Sequence, residues 1–344
     1  MITSLPNLAI ATLLSTFAAT LVFLTWRDPP AAPLAQPAAI SIADAVRRQE
    51  PISPLPRDVG NIDPGRAALG EELFHERLLS RDSTISCASC HQLDTGGSDR
   101  LPRSTGVGGA AGVINTPTVF NSRYNLALFW DGRASSLEDQ VAGPLHNPIE
   151  MASSWEEVIA RLSAHEGYRA AFAEHYPEGI TSASISDAIA SFERTLVTPD
   201  ARFDRYLRGD ATALTVEEQE GYARFKNLGC ASCHQGINVG GNLFQRFGVV
   251  GDYFADRGNP TRADLGRFNI TGREIDRHVF KVPGLRNVAL TAPYFHDASV
   301  DSLDEAVALM GRYQLGRSLS DEDRRLIVAF LHTLTGTYRG VALK

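Results

Sequence analysis

Two copies of one hexapeptide, CASCHQ, stand at Cys87 to Gln92 and at Cys230 to Gln235, and between them they use all four cysteines of the chain. In the pattern C-x-x-C-H, two thiols are spaced to reach the two vinyl groups of one porphyrin. The adjacent histidine is then held beneath the iron, so each copy reads as an attachment site for a covalently bound c-type haem. Zinc would call for further ligands in C-x2-C pairs, and each copy offers one pair and one histidine. Structural disulfides would have to close two strained short loops, each with an unexplained histidine behind it.

What two haems do depends on their remaining ligands: filled axial positions make an electron carrier, whereas an open one binds and activates peroxide or oxygen. The chain has three methionines, Met1, Met151 and Met310. Met310, in EAVALMGRYQL, follows the second motif and is placed to give a thioether to the second iron; the alternative is a methionine that fills a core gap. Between His91 and Trp130 there is no histidine, methionine or lysine, which favours an open first iron. Downstream, FWDGRASSLEDQVAGPLHNPIEM brings Trp130, Gln140, His146 and Glu150. Opening a peroxide O–O bond needs a group that takes a proton from one oxygen and returns it to the other, and one carboxylate can do both. Residue by residue, Glu150 reads more simply as a solvated surface carboxylate and Trp130 as a core aromatic.

The elements that must position these residues are also repeated. Each CASCHQ follows a short helical pattern, LGEELF in one copy and EGYARF in the other, and each half closes on a related segment, IASFERTLVT at Ile189 to Thr198 and IVAFLHTLTG at Ile327 to Gly336. In the first helix Ala68, Leu69 and Leu73 sit at near-helical spacing, continued at Leu78. In the last, Ser320 is placed as N-cap with Asp323 three residues on, Leu326, Ile327, Phe330, Leu331 and Leu334 form the apolar stripe, and Gly336 is placed to stop it. Strand signals are limited to fragments such as TPTVF. The reading is two mostly helical domains that meet near Pro199 to Arg202.

Composition sets the outer bounds. The 344 residues are 43% hydrophobic and 21% charged, which excludes a largely disordered or fibrous chain, and a net charge of −7 without a Lys/Arg block argues against nucleic acid as a partner. Leu8 to Trp26 carries no charge and is about long enough to span a bilayer; the Pro/Ala linker DPPAAPLAQPAA follows Arg27. Together they read as an export signal or a single membrane anchor, which suits haem attachment outside the cytoplasm.

The two motifs 143 residues apart, with NTPTVFNSRYNLALFWDGRASSLEDQVAGP and FKVPGLRNVALTAPYFHDASVDSLDEAVALMGRYQL, resemble the bacterial di-haem cytochrome c peroxidase family, which includes the methylamine-utilisation protein MauG. The resemblance runs from about Ile52 to Gly336. It implies a mainly α fold of two cytochrome c-like domains from an internal duplication, 40–200 around a peroxidatic haem and 201–344 around an electron-transfer haem, after a signal or anchor and linker at 1–39. It implies two covalent haems, one on Cys87, Cys90 and His91 and one on Cys230, Cys233 and His234, with Met310 as axial ligand of the second iron, where the MauG branch has a tyrosine. Glu150 matches the acid-base glutamate, Gln140 the glutamine beside it, and Trp130 the tryptophan between the haems. Asn115, Thr291 and Pro293 match a calcium site, the last two through backbone oxygens, and Tyr294 to Asp297 lie in a PYFHD signature beside the second haem. Many members carry a histidine in the loop after the first motif that caps the peroxidatic iron; here that loop reads RSTGVGG with Val107 in its place, which implies a permanently open iron, with His146 as the substitute ligand to consider. The implied activity is reduction of hydrogen peroxide to water by a periplasmic protein, with electrons from a small cytochrome c or cupredoxin, and such proteins often pair as homodimers. The rivals are a MauG-like oxidase of a protein substrate and a pure di-haem electron carrier.

Overall fold

Asp63 accepts backbone hydrogen bonds from Gly65 and Arg66, and Pro64 follows it at the first helical position, so the first helix starts where its unsatisfied donors are met. The computed structural model describes residues 50–344, which are mainly helical; the apolar segment 8–26 and its linker lie outside the described residues. The helices are α1 Pro64–His75, α2 Cys87–Cys90, α3 Leu137–His146, α4 Trp155–Ala164, α5 Glu166–His175, α6 Ser182–Glu193, α7 Arg202–Leu207, α8 Val216–Asn227, α9 Tyr253–Arg257, α10 Phe268–Thr271, α11 Leu303–Gln314 and α12 Asp321–His332. Two antiparallel pairs, β1 Phe244–Arg246 with β2 Val279–Lys281 and β3 Thr337–Tyr338 with β4 Val341–Ala342, are small additions. Thr116 to Phe120, the expected strand fragment, is extended but unpaired as a strand. Pro117 lacks a donor, the Thr118 hydroxyl donates to Gly96 O (2.7 Å) and accepts from Phe120 N (3.1 Å), and Val119 N donates to Gly97 O (3.2 Å), so bonds to the Gly96–Gly97 turn take the place of a ladder. No helix among the described residues is long and apolar enough to cross a membrane.

Both halves bring their first and closing helices together by the same device. A Cβ on Gly70 in α1 would lie 1.8 Å from Ala188 O of α6, and one on Gly221 in α8 would lie 2.0 Å from Leu326 O of α12. Phe192 and Phe330, at corresponding places in IASFER and IVAFLH, pack beside these glycines and are buried. Each helix pair sits in its own core, with Leu69, Leu73, Ile185 and Ile189 in one and Tyr222, Phe225, Ile327 and Phe330 in the other. Ala68, expected on the apolar face, is exposed. The Ser320 cap forms as expected, with Asp323 N donating to Ser320 Oγ (3.1 Å). The helix ends at His332, before Gly336. That glycine serves close packing instead: a Cβ there would lie 2.1 Å from Thr198 O, and its N–H donates to Asn287 Oδ1 (3.0 Å).

The two halves differ where these closing helices face inward. In the alignment of IASFERTLVT with IVAFLHTLTG, Glu193 stands where the second half has Leu331. Glu193 is 6% exposed and its Oε2 has no hydrogen-bond partner, so burial pushes its carboxyl up to about 8. Another buried charge is paired: Arg286 and Asp204 meet at 2.9 Å, and through Ser53 O, Ile237 O and Leu55 N they fasten segment 53–55 to the second half. The late segment 337–343 returns to the first half, where Tyr338 packs edge-on to Phe120 and Arg339 pairs with Glu71 (2.6 Å).

Gly221→Ala is expected to cost about 1–3 kcal/mol or more, since the clash is with backbone rather than with a flexible side chain; urea unfolding of the variant checks it. Glu193 has a folded-state value above its unfolded one of 4.5, so its contribution favours the fold at low pH and is lost as pH rises through about 8. Replacing Glu193 by the leucine of the other half is therefore expected to raise the melting midpoint more at pH 8 than at pH 5, measured by circular dichroism; an equal change at both would show that the carboxyl has a partner.

Candidate active site

His91 caps α2, and its Nδ1–H donates to Gly97 O (3.3 Å). His234 follows the corresponding turn Cys230–Ser232 and donates in the same way to Val239 O (3.3 Å). A backbone carbonyl thus fixes the tautomer twice and leaves Nε2 as the nitrogen that could coordinate a metal. Burial holds both imidazoles neutral: His91 is shifted down from its ordinary value, and His234 is pushed down to about 4. No cysteine is in a disulfide. Burial raises the Cys87 thiol to about 12 and those of Cys90 and Cys230 to about 11, which suits thioethers rather than the thiolates of a zinc site. Each motif opens onto its own mainly apolar cavity, of about 200 Å³ at His91 and about 260 Å³ at His234. An apolar slot with two thiols and one neutral imidazole fits a c-type haem in both places.

The His91 cavity collects the expected catalytic residues. Leu137, Gln140, Val141, Pro144 and Leu145 line it from one face of α3, and Glu150 joins them from the turn that follows. Glu150 Oε1 accepts from Asn147 Nδ2 (2.6 Å); burial raises its carboxyl above the ordinary value against that bond and the nearby Arg133 charge. The Gln140 amide has no partner among the described residues. His91 is the only histidine in this wall among the described residues. His146 is not brought in: its Nδ1 meets Ser153 O (3.0 Å) and its ring lies edge-on to Trp155. Val107 is buried at 4% exposure, and its N–H donates to Glu150 O (2.8 Å), so the loop that carries it is pinned to the turn bearing Glu150. In the other cavity, Leu303, Ala306, Val307, Met310, Gly311 and Gln314 form one face of α11, which places Met310 in the same cavity as His234.

Trp130 lies in the wall common to both cavities. Its Nε1 donates to Asn115 O (2.9 Å), and Asn115 N donates to His296 O (2.8 Å), so the main chain of Asn115 joins the tryptophan to the PYFHD segment. Thr291 and Pro293 line the His234 cavity along with Asn115.

A family model described as di-haem cytochrome c peroxidase matches residues 64–212. The cytochrome c551 peroxidase of Nitrosomonas europaea is 46% identical over 300 residues, covering 87% of this chain and 88% of that protein. The chain belongs to the di-haem cytochrome c peroxidase family. The cytochrome c peroxidase Ccp of Escherichia coli (strain K12) is 53% identical over 292 residues, which cover 85% of this chain; the match spans 62% of that relative's length. A solved structure of a MauG-like protein associated with microbial copper homeostasis aligns with a TM-score of 0.71 at 31% identity, over 83% of this chain and 93% of that one. The higher identities to the proteins named peroxidases favour the peroxidase reading over the MauG-like one.

Three further features matter: Glu193 and Lys281, which sequence reasoning did not single out, and His296, in the PYFHD segment expected beside the second haem. Glu193 lines the His91 cavity. Lys281, at the end of β2, lines both cavities; its signal was rarity, since Lys226, Lys281 and Lys344 are the only lysines in the chain. His296, which lines the His234 cavity, is held by Asp264 (2.7 Å), whose carboxylate also takes Arg257 (2.7 Å). Burial alone would raise Asp264, but hydrogen bonds from His296, Arg257 and Thr261 outweigh it and hold the carboxyl well below the usual range. Asp264, His296 and Asp297 have the spacing of a metal site, but Arg257 occupies their oxygens, so they read as a closed ionic cluster.

Proposed function

We propose that the protein reduces hydrogen peroxide to two molecules of water, using two protons and two electrons drawn from a small cytochrome c or cupredoxin. The observation that carries this reading is the convergence of Glu150 and Gln140 on the His91 cavity, whose wall has no second histidine among the described residues. Met151 also touches that wall but is packed in the α1–α6 core at 4% exposure. Cys87, Cys90 and His91 would hold one haem, and Cys230, Cys233, His234 and Met310 the other. When bound, the haems supply redox-active iron at which peroxide is reduced and electrons are stored.

The chain's own residues do the rest. Glu150 moves protons: burial raises its carboxyl above the ordinary value, toward the range in which one group can both give and accept a proton, and Asn147 holds Oε1 in place. Gln140 presents an amide that can orient peroxide. Trp130, fixed by its bond to Asn115 O, stands in the common wall as the route for electrons. Val107, in place of the histidine of many relatives, offers no ligand atom to an iron that would be held at His91. Calcium is proposed between Asn115 Oδ1 and the carbonyls of Thr291 and Pro293: Asn115 spends its Nδ2 on Leu101 O (3.1 Å), and these three oxygens meet no hydrogen-bond donor among the described residues. All-oxygen shells of this kind suit Ca²⁺. The reading includes export to the periplasm, with residues 1–39 as signal or anchor.

Glu150→Gln is expected to keep both haems and their absorption spectra while lowering kcat with peroxide by about 10²–10⁴-fold; unchanged turnover would remove Glu150 from the mechanism. The fully oxidised wild type is expected to show a high-spin signal by electron paramagnetic resonance without prior reduction. Low-spin iron alone would show that another group caps the His91 site.

A further inference from the structure

Eight residues wall both cavities, and among them Lys281 is the one with a charge. It is 8% exposed, and its ammonium makes no hydrogen bond or ion pair with any described residue; burial lowers it to about 8. The other cations that reach these walls have their own aspartates: Arg133 has Asp131 at 2.9 Å and Arg286 has Asp204 at 2.9 Å. Lys281 is also fixed in place, since β2 pairs with β1 and the Lys281 N–H donates to Trp130 O (2.9 Å). A buried, unpaired ammonium is costly, and it persists where a negative partner is to be met.

The tethering chemistry places that partner. The cysteines of each motif line only their own cavity and are absent from the common wall. A porphyrin held through its vinyl groups carries its two propionates on the opposite edge. Haems attached at Cys87 and Cys90 on one side, and at Cys230 and Cys233 on the other, would have the wall that holds Lys281 within reach of their propionate edges, since that wall bears none of the four cysteines. The choice of residue agrees: the chain has three lysines against thirty arginines. An ammonium is a compact point charge whose three rotatable donors can be shared between two carboxylates.

We propose that Lys281 is a shared counter-cation that pairs with a propionate from each haem and so couples the two haems electrostatically. This rests on the di-haem reading above. The group is positioned so that one positive charge stabilises the reduced form of both irons.

The test uses the holoprotein. Haem content is measured first, by the pyridine haemochrome assay, and two haems per chain are expected in wild type, Lys281→Met and Lys281→Arg alike; fewer than two in wild type would overturn the di-haem reading itself. Midpoint potentials of both haems are then read by spectroelectrochemical titration. Lys281→Met is expected to lower both potentials together, and Lys281→Arg to leave both near wild type. A shift confined to one haem, no shift at all, or an equal shift in Lys281→Arg would overturn the proposal. If Lys281→Met fails to fold, resonance Raman spectra of the wild type and Lys281→Arg decide it. Propionate bending bands that move on exchange into D₂O for both haems support the shared pair, and bands insensitive to exchange overturn it.

Discussion

The peptide at Asn115 carries the most weight for its size. Its carbonyl accepts the Trp130 indole and its N–H donates to His296 O, so two hydrogen bonds from the backbone groups on either side of one Cα hold the partition between the cavities. His296 is in turn locked by the buried Asp264 and Arg257 cluster. Hydrogen bonds of this kind contribute only about 0.5–1.5 kcal/mol each, but a buried donor or acceptor left without its partner costs more. The arrangement is therefore specific more than it is strong: any other placement of Trp130 would orphan an indole N–H and a carbonyl at the same time.

Around that partition the chain repeats one plan and then departs from it. Gly70 and Gly221 let helices approach to backbone contact in both halves, and His91 and His234 are oriented by a carbonyl in the same way. The departures lie on the cavity faces. Met310 has no counterpart opposite His91, and Glu193 replaces Leu331. A duplicated scaffold thus keeps its packing residues in common and changes the few side chains that decide what each iron site can do.

Much of this could be read from the chain beforehand because its signals are local. The CASCHQ repeats, the Ser320 cap and the stripe from Leu326 to Leu334 are set by neighbours a few residues away, and the helical spacing that gathers Gln140 beside Val141 and Pro144 is equally local. What escaped needed partners far along the chain. Gly336 looked like a helix stop, but its lack of a side chain is required by Thr198, over 130 residues earlier. Thr116 to Phe120 had strand composition without a strand to pair with. Glu193 is ordinary in sequence and Lys281 stands out there only by its rarity; both become unusual once their burial is known. His146, attractive by residue type, faces Ser153 and Trp155 because the turn beyond α3 points it away.

The return of residues 337–343 onto the first half bears on the order in which the molecule is assembled. Tyr338 and Leu343 pack with Phe74, Phe120 and Phe192, so the first core is finished by side chains that arrive well over a hundred residues after its own helices. Contacts over such separations form slowly, since loop closure comes before the gain from burial. The core beside Cys87 is therefore completed only once the end of the chain has been made, so the closure of the first half depends on the second.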